Sequence, residues 1–156
     1  MTAIELSGAF AIQEDHSVQL ASSAGPLLLT LSRDGLRLRA GTGDLDHHQM
    51  LVAQSPPLPV QVQQNEQRLT LTGDRLRAEI DLNPFCLSVF LEGVPDAKPA
   101  LQSARDGHFV RRHRIPPLAH DGERWLWTVD LGEDEAVYGL GEKWGQLNRR
   151  GQWLRS

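Results

Sequence analysis

The sequence predicts an all-β fold, an antiparallel sandwich of two sheets, on three observations. Charged and apolar residues alternate without error over Arg75-Leu76-Arg77-Ala78-Glu79-Ile80-Asp81-Leu82. Comparable short runs recur along the chain, punctuated by Gly, Asn, Asp and Pro, and no segment keeps the apolar spacing of a long helix. A period of two places Leu76, Ala78, Ile80 and Leu82 on one face of a strand and four charges on the other, in water. On a helix the same charges would encircle the axis. A sheet with one greasy row needs a second layer over it, and roughly ten short strands in sequence order suit a sandwich.

Taken in order, Leu27-Leu28-Leu29-Thr30-Leu31 turns at Asp34-Gly35 into Leu36-Arg37-Leu38-Arg39-Ala40, which reads as a hairpin. Ser55-Pro56-Pro57 is a connector, because proline has no amide proton for a ladder. Pro59-Val60-Gln61-Val62-Gln63 turns through Asn65-Glu66 into Leu69-Thr70-Leu71, and Gly73-Asp74 turns that run into the alternating strand. After Asn83-Pro84 comes Phe85-Cys86-Leu87-Ser88-Val89-Phe90-Leu91, apolar on both faces in part. Such a strand belongs inside a sheet covered on both sides. The stretches Pro95 to Pro99 and Ile115-Pro116-Pro117 are further connectors. Arg124-Trp125-Leu126-Trp127-Thr128-Val129-Asp130-Leu131 puts both Trp, Val129 and Leu131 on one face, suited to core or interdomain packing rather than to a sugar platform.

Composition narrows the function. The 156 residues hold 16 Lys and Arg against 20 Asp and Glu, a formal net charge of -4. That balance favours solubility and argues against a non-specific nucleic-acid surface, which needs clustered, unopposed cations. The single cysteine, Cys86, lies in an apolar run, so it reads as a buried thiol and allows no internal disulfide. No leader-like segment and no stretch of membrane-spanning length is visible, so the cytoplasm is the expected location and no membrane partner is expected.

Most candidate chemistry has a plain reading. His47-His48, preceded by Asp44 and Asp46, is a solvated loop rather than a metal site, since adjacent residues of an extended chain point apart. Arg111-Arg112-His113-Arg114 could meet a phosphate or carboxylate, but a polar strand face or a rim toward another domain explains it better. Asp130, Glu133, Asp134 and Glu135 form a solvated acidic loop, and Glu79 and Asp81 are expected to face solvent. No cofactor and no metal is implied.

The end of the chain changes character. Ala136-Val137-Tyr138-Gly139-Leu140-Gly141-Glu142-Lys143-Trp144-Gly145 is rich in Gly and large aromatics without a period of two. Its glycines lack the Gly-x-Gly-x-x-Gly spacing of a nucleotide loop. Glycines at 139 and 141 permit close backbone approach, and Tyr138 and Trp144 offer broad faces with a polar handle, as a domain junction needs. Glu142, near Lys143, Arg149 and Arg150, reads as a salt-bridged or backbone-bonding anchor. Trp153-Leu154 makes an unusually apolar end, as though the chain were cut within an element.

Here the sequence resembles glycoside hydrolase family 31, the α-glucosidases and α-xylosidases. The resemblance rests on Val137-Tyr138-Gly139-Leu140-Gly141-Glu142-Lys143-Trp144-Gly145 followed by Leu147-Asn148-Arg149-Arg150-Gly151. Weaker matches fall at Gly35-Leu36-Arg37-Leu38-Arg39 and Leu82-Asn83-Pro84-Phe85-Cys86-Leu87-Ser88-Val89. It implies a galactose-mutarotase-like N-terminal β-sandwich over residues 1–136, with 137–156 a truncated linker toward a (β/α)8 catalytic barrel beyond Ser156. The family draws both catalytic carboxylates from that barrel, so the chain alone is expected to be inactive. Tyr138, Gly139, Gly141, Glu142, Trp144, Arg150 and Gly151 become structural residues of the junction, with Trp144 and Trp153 candidates for sugar or interdomain contact. Expected partners are the barrel, an α-linked oligosaccharide in the intact enzyme, and a second copy through an uncovered domain face. The alternative is a stand-alone carbohydrate-binding or mutarotase-like module. A scaffold without sugar chemistry is a third.

Overall fold

The computed structural model describes residues 2–33, 35–40, 55–95, 98–105, 108–110, 113–122 and 124–135. Among them there are strands and turns and no helix. The strands are β1 (Thr2–Ala3), β2 (Leu6–Ile12), β3 (Val18–Ser22), β4 (Gly25–Leu31), β5 (Leu36–Ala40), β6 (Gln61–Gln64) and β7 (Arg68–Thr72). There follow β8 (Leu76–Asp81), β9 (Cys86–Leu91), β10 (Leu101–Gln102), β11 (His108–Val110), β12 (His113–Ile115), β13 (Leu118–His120) and β14 (Trp125–Trp127). All pairings between these strands are antiparallel.

The predicted hairpins form as expected. Leu31 pairs with Leu36 at the end of β4–β5, and the Ser32 amide donates to the Gly35 carbonyl at 2.9 Å. Between β6 and β7 the Asn65 carboxamide oxygen accepts from the amides of Gln67 at 2.9 Å and Arg68 at 2.8 Å, a side chain standing in for backbone in a tight turn. Asn83 and Pro84, joined by a cis peptide bond, carry β8 into β9. The Asn83 carboxamide also pairs with the backbone of Leu6, donating at 2.9 Å and accepting at 3.3 Å, which ties this turn to β2.

Two sheets make the body, with strand orders β2-β3-β4-β5 and β10-β9-β8-β7-β6. Alternation explains which rows they bury. Val18, Leu20, Leu27, Leu29 and Leu31 of the first sheet meet Leu69, Leu71, Ala78, Ile80, Leu87 and Val89 of the second in one cluster. Ile4 and Leu118 complete it from the smaller β1-β13-β14 sheet, and β11 and β12 form a separate ribbon. Full burial of such a side chain contributes about 1.5–3 kcal/mol relative to leaving it exposed, so this shared row is the main source of cohesion. The run after β14 binds the small sheet to the large one: the Ala104 amide donates to the Thr128 carbonyl and the Asp130 amide to the Gln102 carbonyl, both at 2.9 Å.

Three details differ from expectation. Among the described residues there are fourteen strands, several only two or three residues long. The charges of β8 are not simply in water: Glu79 and Asp81 keep only 17% and 19% of their side-chain surface exposed. Outward side chains of neighbouring strands lie close enough to pair across the sheet, and arginines of β7 and β8 fold over the carboxylates. Finally, the late apolar row is only partly covered. Trp125 packs against the core, whereas Trp127 is 38% exposed and Val129 and Leu131 are exposed with it.

Candidate functional site

The residues of the glycine-rich junction, Tyr138, Gly139, Gly141, Glu142, Trp144, Arg150 and Gly151, lie outside the described residues, as do Trp153, His47-His48 and Arg111-Arg112. The described residues offer three places where chemistry-bearing side chains gather: the outer face of the large sheet, an apolar groove and a charged cleft.

On the outer face, strand register sets Arg68 opposite Asp81 and Thr70 opposite Glu79. Arg68 donates from Nη1 to Glu79 Oε2 and from Nε to Asp81 Oδ1, both at 2.7 Å. Arg77 pairs with Glu79 and reaches Glu92 with N···O 3.6 Å, while Arg105 Nη1 lies 3.0 Å from Asp81 Oδ2. Three guanidiniums thus balance three carboxylates. A glycosidase pair must face one another across a sugar. Glu79 and Asp81 instead stand side by side on one strand, each already occupied by arginines. This cluster is a strap for the sheet.

Inside the strap, β9 buries Cys86 and Ser88 on its outward side, and the Arg77 guanidinium covers Phe90 with its carbon 4.4 Å from the ring centroid. Burial pushes the Cys86 thiol up from its ordinary value, and its Sγ lies 3.8 Å from the Ser103 carbonyl. This is a structural thiol, the opposite of the exposed, electropositive setting that makes a reactive one. Ser103, fully buried, accepts at its hydroxyl from Trp127 Nε1 at 2.8 Å and from the Leu87 amide at 3.2 Å. The half-exposed indole is therefore fixed in orientation.

The apolar groove, about 420 Å³, opens beside that indole, between β5 and β14, floored by Leu38, Leu76, Leu101 and Trp125. It has little polar surface with which to orient a ligand.

The charged cleft is larger, about 770 Å³, within the range of small-molecule sites. Segments distant in sequence converge on it: Ile4 and Glu5 after β1, Pro84 and Phe85 from the β8–β9 turn, Arg105 after β10, and the stretch from Arg114 through Pro116 and Pro117 to Leu118. Proline faces and buried Phe85 and Leu118 form apolar walls, while exposed Glu5, Arg105 and Arg114 supply the charge. Of these, sequence reasoning gave only Arg114 a possible ligand contact, within its basic run; it read Asn83-Pro84-Phe85 as a turn and strand of the family resemblance and Pro116-Pro117 as a connector. Among the described residues, no group of three or more His, Cys, Asp or Glu is arranged to hold a metal ion.

Comparison with known proteins bears on most of the chain. The family model described as the glycosyl hydrolase 31 N-terminal galactose mutarotase-like domain matches residues 27–156, from within β4 through the glycine-rich junction. No curated protein matches the chain.

Proposed function

Since this chain belongs to the glycosyl hydrolase 31 proteins, through their N-terminal galactose mutarotase-like domain, we propose that it is the non-catalytic N-terminal domain of a retaining α-glycosidase. The intact enzyme hydrolyses O-glycosyl bonds of terminal α-linked glucose or xylose. In this reading the sandwich packs beside a (β/α)8 barrel, holds the loop after Gly151 against the active-site mouth and shapes its rim.

The observation that carries the reading is the extent of the match, which takes in most of the sandwich and the Tyr138 to Gly151 motif together. The chemistry of the described residues agrees. Retaining hydrolysis needs two carboxyl groups about 5–5.5 Å apart on either side of the scissile bond, one a nucleophile and one an acid. The most enclosed carboxylates of the sheet, Glu79 and Asp81, are committed to arginines on a single face. They strap strands together, which is the work of a supporting domain.

The test is an assay of this chain, and of the full-length protein, on aryl α-glucosides and α-xylosides. Turnover is expected only from the longer protein. Turnover by the isolated chain would overturn the division of labour.

A further inference from the structure

We infer that the exposed apolar row of Trp127, Val129 and Leu131, with the groove beside it, is a docking face whose occupant is the catalytic barrel of the intact enzyme. The inference rests on the reading of this chain as the domain that supports such a barrel, and it adds which surface does the supporting.

Strand register decides which way the row points. Leu101 of β10 pairs with Val89 of β9, a residue of the shared core, so Leu101 faces the core side of the large sheet. Ser103, two residues on, forms an antiparallel bridge with Val129, and partners in register share a face. Val129 therefore points to the core side as well. Trp127 does so too, because its indole Nε1 donates to the Ser103 hydroxyl at 2.8 Å. The large sheet thus carries its core-facing row past β10 and onto the run after β14. The opposite sheet does not follow. Its edge strand among the described residues is β5, and the groove of about 420 Å³ opens between β5 and β14. Trp127, Val129 and Leu131 are left 38%, 37% and 43% exposed on the side of the sheet that elsewhere holds the core. An apolar row in that position needs a second layer.

Chain path and charge point to the occupant. The described chain runs to Glu135, four residues beyond Leu131, and the matched domain continues to residue 156 through the junction motif that leads, in the proposed enzyme, to the barrel. The surface nearest that exit is the one a following domain meets first. Asp130, Glu133 and Asp134, all exposed, border the row, and the run from Trp125 to Glu135 contains no Lys or Arg. An apolar centre inside a polar rim is the anatomy of a protein interface, and an acidic rim fits a partner whose own rim is basic. A small polar ligand is poorly served here, since the one polar group of the indole is already spent on Ser103.

The experiment is maleimide labelling of Val129→Cys in the 156-residue chain and in the full-length protein, with the modified peptides followed by mass spectrometry. Ile12→Cys, on the edge strand β2 and also exposed, is the reference, and buried Cys86 reports that each variant is folded. Val129→Cys is expected to label about tenfold or more slowly in the full-length protein than in the isolated chain, with Ile12→Cys alike in both. Glu133→Lys together with Asp134→Lys should bring back about threefold or more of the full-length rate, and added salt should act in the same direction. Equal rates for Val129→Cys in the two proteins, or a matching slowdown at Ile12→Cys, would overturn the face. So would protection already present in the isolated chain: at every concentration it would assign the cover to this chain itself, and only at high concentration to a second copy. An unaltered rate in the double Lys variant would overturn the acidic rim. Glycosidase turnover of the full-length protein, read on the same samples, tests the barrel separately, so an active enzyme with Val129→Cys open to the reagent loses this face and keeps the barrel.

Discussion

At the scale of single residues, small polar groups carry more than their size suggests. Ser103 has no exposed surface and satisfies two donors, the Leu87 amide and the Trp127 indole. Ser103→Ala leaves the amide without its partner in a dry interior, so a loss of about 2 kcal/mol is expected in urea unfolding. Trp127→Phe removes a donor instead and should cost less. Asp15 shows how a turn acquires pH dependence. Its carboxylate accepts from the Ser17 hydroxyl at 2.5 Å and the Ser17 amide at 3.0 Å, and these bonds, led by the hydroxyl, hold its pKa below the ordinary 3.8. Because the folded value is the lower one, the contribution is present above 3.8 and fades as pH falls through the folded value. Asp15→Asn should be modestly less stable at neutral pH and converge with the unsubstituted chain at low pH, which acid unfolding would show as a shallower dependence in that window.

Elements depend on where alternation holds and where it fails. β2 breaks its register with β3 between Leu6 and Phe10, and Gly8 sits in the break at φ +78°. A methyl group there would come within 3.2 Å of Gln64 Nε2, a flexible tip that can yield, so the backbone angle is the larger cost. Gly8→Ala should lower stability by about 1 kcal/mol, measured by thermal unfolding. The same break explains what the sequence concealed. β4, β5, β7, β8 and β9 were legible because each runs for five residues or more, alternating or apolar, between clear turn residues. β2 was not, since the irregularity at Gly8 shifts its pattern, and β10 to β13 are pieces of two or three residues, too short to display a period. The strap was half legible: its charges stood out, but Arg68 and Arg105 come from other elements, and only the register brings them to Glu79 and Asp81. The cleft was less legible still. Its walls come from four separated parts of the chain, and nothing local marks Glu5 or Arg105 as neighbours of Arg114.

The molecule as a whole behaves as one unit because both large sheets fill a common core. Leu71, fully buried on β7, belongs to the same cluster as Leu27 and Leu29 of the opposite sheet, the cluster against which Trp125 packs. Leu71→Ala should cost about 3 kcal/mol. Its far-ultraviolet circular dichroism and tryptophan emission should lose signal at the same denaturant concentration, as for the unsubstituted chain. Separate transitions would mean that the sheets hold together independently. The strap, with its charges in balance, gives the large sheet an outer face with little net field. The cleft lies at its margin, where Arg105 serves both.

The lone thiol makes the protein its own stopwatch. Cys86 is the chain's sole cysteine, buried beside the extended stretch after β10 that bears Ser103. A maleimide or disulfide reagent can reach it only after a local opening of the strap or of the strand end around it, so the labelling rate counts those openings without any engineered probe. Anything that clamps Arg105 from outside should slow that clock.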